Sequence, residues 1–199
     1  MKFGRRENIQ EMVDDGILYM NNLPYIWAIE DGAVRGDVND GVDALHRGIK
    51  AKIFKQDGTE IPVNITSWSL REHTGAENTN LFCMYSLRES TSPIDDRVMG
   101  FGDTSLLFTQ PQSFFDRLQA SVRQLKLDAH SDLVQYVPDD HTGEIGPFRK
   151  LAAFSWQAEW RLIVRNGPGG PLKLNVGSLH DVATVMPTHD LIKDTNNRK

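Results

Sequence analysis

Behind Pro111, the residues Phe114, Phe115, Leu118, Val122 and Leu125 recur at steps of three and four, and no other stretch of the chain holds a helical period for as long. Proline suits the first position of a helix, so a helix is expected over residues 111–127. Most of the remainder is short apolar or alternating runs between turn residues. Residues 17–23, 81–87, 104–109, 132–137, 158–165, 172–176 and 182–186 all read as strands. Residues 49–55 and 60–70 alternate on either side of Asp57-Gly58, a hairpin signal. Roughly eight or nine strands against two or three irregularly placed helices predict an α+β fold. The expectation is one domain over residues 1–199, a curved, mainly antiparallel sheet with one or two packed helices. Residues 42–46 are expected to start a short helix and residues 148–155 to fill one helical face. A long polar loop is expected over residues 30–41, and the polar end from about residue 189 is expected to fray.

Charge and cysteine content narrow the class of partner. Lys plus Arg is 22 and Asp plus Glu is 27, a net charge of −5. A duplex-DNA binder normally carries a basic surface that releases counterions, and this chain has only short basic pairs, so duplex nucleic acid is not expected. No apolar run approaches the roughly 20 residues of a membrane helix. The charged opening lacks the apolar core of a secretory signal. The lone cysteine, Cys83, cannot form an internal disulfide, which suits a cytoplasmic setting.

Several familiar site patterns are excluded. The loop beginning Asp37-Val38-Asn39-Asp40-Gly41 has its glycine fifth rather than sixth and lacks the twelfth-position glutamate of an EF-hand. It reads as a solvated acidic loop, with a looser contact from Asp37, Asp40 or Asp43 as the alternative. The six histidines share no ligand spacing, so no metal ligand is assigned. Neither a phosphate-cradling GxxxxGK[ST] nor a GxSxG elbow occurs. Cys83 lies in an apolar run and reads as a packed side chain. Tyr19, Tyr25 and Trp27 are either stacking faces for a base or rim aromatics.

The informative segment is FRKLAAFSWQAEWRLIVR, residues 148–165. If a strand runs from Gln157, then Ala158, Trp160, Leu162 and Val164 face a core. Gln157, Glu159 and Arg161 form a polar row on the other face, about 7 Å apart. Burying an unpaired charge is costly. The row is therefore either a Glu–Arg pair on an exposed sheet face or the wall of a cleft. In a cleft, Glu159 could hold a sugar hydroxyl and stabilise positive charge developing at an anomeric carbon.

Two resemblances attach to these residues. The order LFCMYSL, GFGDTSLLF, VQYV, then Lys150, an aromatic and AEWRLIV resembles an uncharacterised domain family of bacteria and their phages. That family ends in a Lys…aromatic…(Glu/Gln)-x-Glu-Trp-Arg segment, and some members are associated with abortive infection. Gln157 stands where the family has its first glutamate. The resemblance implies an accessory protein of phage–host conflict that binds a host or defence component. The strand opening Gln157-Ala158-Glu159 is also similar to the Gln/Glu-x-Glu motif of ADP-ribosyltransferases. That resemblance implies NAD or a related nucleotide as cofactor or substrate. Glu159 would lie on the nicotinamide ribose, with Gln157 in target recognition and Arg161 beside them. Ser86, at the end of LFCMYS, would be the accompanying serine. Apart from the resemblance, Tyr85 and Trp156 are read either as residues flanking a ligand or as packed aromatics.

Overall fold

The fold is that of a computed structural model, which describes residues 1–29, 36–91 and 93–197. The first part of the expected polar loop, residues 30–35, lies outside them. In chain order the elements are β1 (Lys2–Gly4), α1 (Arg6–Asp15), β2 (Ile17–Asn22), α2 (Leu23–Trp27), β3 (Ala44–Gly48), β4 (Ile53–Phe54), β5 (Glu60–Ile61), β6 (Trp68–Glu72), β7 (Asn80–Tyr85), β8 (Thr104–Phe108), α3 (Pro111–Gln124), β9 (Ala129–Leu133), β10 (Gln135–Val137), β11 (Gly143–Glu144), β12 (Arg149–Leu151), β13 (Glu159–Val164), β14 (Leu172–Asn175), β15 (Ala183–Pro187) and α4 (Thr188–Asn196).

A five-stranded sheet in the order β14-β2-β7-β13-β9 is antiparallel throughout. It gives the α+β architecture expected. Its two faces are divided by strand pleating. One face carries Leu18 and Met20 of β2, Phe82 and Met84 of β7, Leu162 and Val164 of β13, and Leu174 of β14. Helices α1 and α3 close over it with Ile9, Met12, Val13, Phe114 and Leu118, making the main core. Burying each such side chain stabilises the fold by about 1.5–3 kcal/mol. The register pairs Glu159 with Tyr85 and Arg161 with Cys83, so these four side chains share the opposite face. Asn21 joins them there through its pairing with Leu81.

Gly16 sets the entry into this sheet. It ends α1 at φ 65°, the left-handed conformation that suits glycine. A Cβ there would overlap the backbone of Gly177.

Three expectations are corrected. Residues 44–48 form strand β3, paired with β6, rather than a short helix, because Leu45 is buried with Val42 in a third apolar cluster. The segment 148–155 is not one helical face: β12 pairs in parallel with β10, and a 3₁₀ turn, Ala152–Gln157, follows. The end does not fray from residue 189. It forms α4, which is anchored by Leu191 and Ile192 in a second apolar cluster with Phe3, Tyr85 and Trp156. The hairpin around Asp57-Gly58 is present but short, pairing only Ile53 with Ile61 and Phe54 with Glu60.

Candidate functional site

Three chain segments carry ions to one buried point, and a fourth adds an amide. Strand β13 opens on Glu159 and places Arg161 two residues on, on the same face. Strand β12 supplies Lys150, opposite Tyr136 of β10. The turn at Asp37–Asp40 is closed by the Asn39 amide donating to Asp37 Oδ1 at 2.9 Å and the Asp40 amide donating to Asp37 O at 3.0 Å. That turn points Asp40 inward. The 3₁₀ turn before β13 ends at Ala158, a non-glycine residue at φ 43°. Left-handed backbone costs an alanine about 1–2 kcal/mol. It reverses the chain so that Gln157 and Glu159 both reach Lys150.

The contacts form a closed set. The Lys150 ammonium donates to Gln157 Oε1 at 2.7 Å, Glu159 Oε1 at 2.9 Å and Asp40 Oδ2 at 3.2 Å. Arg161 Nε donates to Glu159 Oε2 at 2.7 Å, and its Nη1 donates to Pro147 O at 2.8 Å. Arg161 Nη1 also lies 2.7 Å from Asp40 Oδ1, an ion contact without hydrogen-bond alignment. Among the described residues, Asp40 Oδ1 and Arg161 Nη2 have no hydrogen-bond partner. The Glu159 amide donates to the Tyr136 hydroxyl at 3.0 Å. Arg161 is fully buried, and Lys150 and Asp40 are each 4% exposed.

Electrostatics fixes the charge states. Burial works against ionising Glu159, but the neighbouring Arg161 and Lys150 outweigh it and hold its carboxyl well below the usual range. Burial likewise opposes the Lys150 charge, and Asp40 and Glu159 outweigh it, so the ammonium persists above its ordinary range. Glu159 is therefore an anion and cannot act as a general acid. Burial, with Glu159 second, pushes the Cys83 thiol up to about 12, so it is no nucleophile.

Asp37 differs. Burial first and Asp40 second raise its pKa. A folded pKa above the unfolded value of about 3.9 means a contribution present at low pH and lost as pH rises through the folded pKa. Ionised Asp37 thus opposes folding at neutral pH. Asp37→Asn keeps the acceptor for Asn39 and is expected to raise the urea midpoint at pH 7. The gain should vanish near pH 3, where both proteins are uncharged at this position. A lowered midpoint at pH 7 would refute this account.

Beside the ions lies a hollow of about 230 Å³ on the same sheet face. Asp40, Lys150, Gln157 and Glu159 stand on one wall; Phe3, Tyr19, Tyr85 and Phe101 supply aromatic walls; Ile26 and Ile29 complete it. An ionised carboxylate has about four lone-pair sites. Lys150 and Arg161 occupy two of those on Glu159. The wall accordingly offers spare acceptors within an apolar enclosure.

Of the residues expected at a site, Glu159, Gln157 and Tyr85 line the hollow. Arg161 lies behind it, holding Glu159. Gln157 is on the 3₁₀ turn and not, as expected, on the strand. Ser86 does not line the hollow; its amide donates to Ala158 O at 2.7 Å. Trp156 does not flank it either. It packs in the second apolar cluster, stacked on Phe101 at 5.6 Å, with the Arg97 guanidinium over its ring at 4.9 Å. It backs a wall and is not part of the lining. The reading of Asp37 and Asp40 as solvated is corrected, since both are buried. No three His, Cys, Asp or Glu side chains among the described residues are grouped to hold a metal ion. No helix among them is long and apolar enough to cross a membrane. Lys150 is the functional residue that alternation along β13 could not find. Its signal was present only as the lysine of the family-like segment.

Comparison with protein-family models, with curated proteins and with solved structures found no match to this chain.

Proposed function

We propose that this protein binds a small flat nitrogen heterocycle carrying N–H donors, of nucleobase size, and that Glu159 holds the ligand and does not react with it. The observation that carries this reading is a pair of buried carboxylates, Asp40 and Glu159, on the wall of an aromatic-lined hollow. Apolar pockets with a few convergent polar groups are the common form of small-molecule sites. At about 230 Å³ the hollow is below the roughly 300–1,000 Å³ that drug-sized ligands occupy, so it suits a single ring system. Aromatic faces stack on any such ring. The spare lone pairs of Glu159 call for donors on its edge.

The test is calorimetric titration with adenosine, guanosine and cytidine, and with N6,N6-dimethyladenosine, which lacks the exocyclic donors. At least one donor-bearing nucleoside is expected to bind and the dimethyl analogue to be rejected. Glu159→Gln, checked for folding by its unfolding midpoint, should weaken binding about 10–100-fold, as loss of a buried acceptor does. Absence of binding by all three nucleosides overturns the reading.

A second reading is favoured by the position of Glu159 at the head of β13, two residues after Gln157 and on the hollow's wall. It is an ADP-ribosyltransferase-like reaction on NAD, with the carboxylate stabilising positive charge at the ribose. Against it, Lys150 and Arg161 at 2.9 and 2.7 Å cancel most of the negative potential Glu159 would need to supply. Release of nicotinamide from NAD by the native protein, abolished in Glu159→Gln, would replace the first reading with this one. We propose phage–host conflict, through a bound host or defence component, as the setting of either activity, in keeping with the resemblance of the Lys150–Arg161 segment to the bacterial and phage family. Equal phage plating on cells expressing the native protein and Glu159→Gln would remove that setting.

A further inference from the structure

The first hollow adjoins a second, outer one of about 520 Å³, and the two share seven lining residues, among them Lys2, Phe3, Tyr19 and Phe101. Their charge balance differs. On the inner wall the carboxylates of Asp40 and Glu159 are matched by the ammonium groups of Lys150 and Lys2. The outer hollow is lined by Arg5, which precedes α1, and by Lys173 of β14, with Lys2 at the junction and Glu11 as its one acid among the described residues. Lys173 stands over the Tyr19 ring at 5.8 Å, so an aromatic face of the inner hollow and a cation of the outer one are neighbours. In a chain of net charge −5, a local excess of cations around a concavity is not an average property of the surface.

We propose that the two hollows form one bipartite site for a nucleoside phosphate: the base enters the inner hollow with its N–H edge toward Asp40 and Glu159, and the phosphate lies in the outer hollow against Arg5 and Lys173. This rests on the heterocycle reading above and adds the anionic end. Phosphate oxygens and cationic side chains form the strong, charge-assisted class of hydrogen bond. Guanidinium suits them by its fork of donors and ammonium by its point charge. The net cationic lining of the outer hollow also fixes the ligand's direction, since the reversed pose takes the phosphate away from Arg5 and Lys173 and sets it against Asp40 and Glu159.

The experiment titrates the native protein and an Arg5→Glu/Lys173→Glu variant with adenosine, guanosine and cytidine, with their 5′-monophosphates, and with inorganic phosphate. Both substituted side chains are exposed, and the unfolding midpoint verifies the variant's fold. At low salt a monophosphate is expected to bind about tenfold or more tighter than its nucleoside, with the advantage shrinking as salt rises. In the variant, the monophosphate should fall to the level of the nucleoside. Inorganic phosphate should bind far more weakly than the monophosphate. Equal affinity for nucleoside and monophosphate in the native protein overturns this inference while leaving the inner site standing. So does an advantage that survives in the variant. Inorganic phosphate binding as tightly as the monophosphate also overturns it, by making the outer hollow a free-phosphate site. Failure of nucleosides and monophosphates alike overturns the inner reading, and this one with it.

Discussion

Lys150→Met is expected to remove about 3–5 kcal/mol of folding stability, seen as a lower urea midpoint with an unchanged slope. The ammonium is 4% exposed and donates to Gln157, Glu159 and Asp40. Methionine fills similar space, so the loss is electrostatic and leaves little cavity. Lys150 and Arg161 balance Asp40 and Glu159; without the lysine, two buried acids face one cation. Asp37 makes the imbalance worse wherever it ionises. Glu159→Gln should cost less, because Asp37 and Asp40 then still face the two cations. The pH profile separates the two partners. Glu159's folded pKa is depressed, so its contribution is present above the unfolded value of about 4.3 and lost only as pH falls far below it. An internal control is the Lys52–Glu60 pair, 3.1 Å apart with side chains 68% and 48% exposed. Lys52→Met should cost no more than about 1 kcal/mol. Should Lys150→Met prove as mild as Lys52→Met, the buried set is not an interdependent unit.

Local signals in the chain were enough for the sheet and its division into two faces. Alternation along Glu159–Val164 and the apolar run Asn80–Tyr85 identify β13 and β7, because both sit in the sheet interior, where packing follows the pleat. The helix behind Pro111 shows its period because one side meets a core and the other meets water. What failed were segments whose structure is set by distant partners. Ala44 and Leu45 carry no strong strand signal, and they are extended because β6 pairs with them. The end from Thr188 looks like a tail until Leu191 and Ile192 are seen to fill a cluster made by the other terminus of the chain. The site was half visible for the same reason. A period of two puts Glu159 and Arg161 together without further information. No local pattern brings in Asp40 and Lys150, which are 110 residues apart, or turns Gln157 toward them through the left-handed Ala158. The acidic loop read as solvated because the cations that justify burying Asp40 come from later strands.

The double variant Lys150→Met/Glu159→Gln is expected to be more stable than Lys150→Met alone, while losing the ring ligand. Removing both a cation and an acid restores the balance, leaving Arg161 beside Asp40 with Nη1 2.7 Å from Oδ1. The glutamine oxygen can still accept from Arg161 Nε. Buried ion pairs replaced as pairs often cost little or nothing, because the desolvation they required disappears with them. The recovered stability, read from a double-mutant cycle, should be about 0.5–3 kcal/mol. Binding should behave differently. A neutral amide is a weaker acceptor than the carboxylate, and its NH₂ group opposes the ligand's donors, so affinity for the nucleoside should stay about 10–100-fold below the native value even as stability returns. Stability and binding therefore separate in one protein. A double variant no more stable than Lys150→Met would mean that the lysine acts through packing and not through charge. A stable double variant with native affinity would remove Glu159 from the site and leave Asp40 as the only carboxylate able to meet the ring.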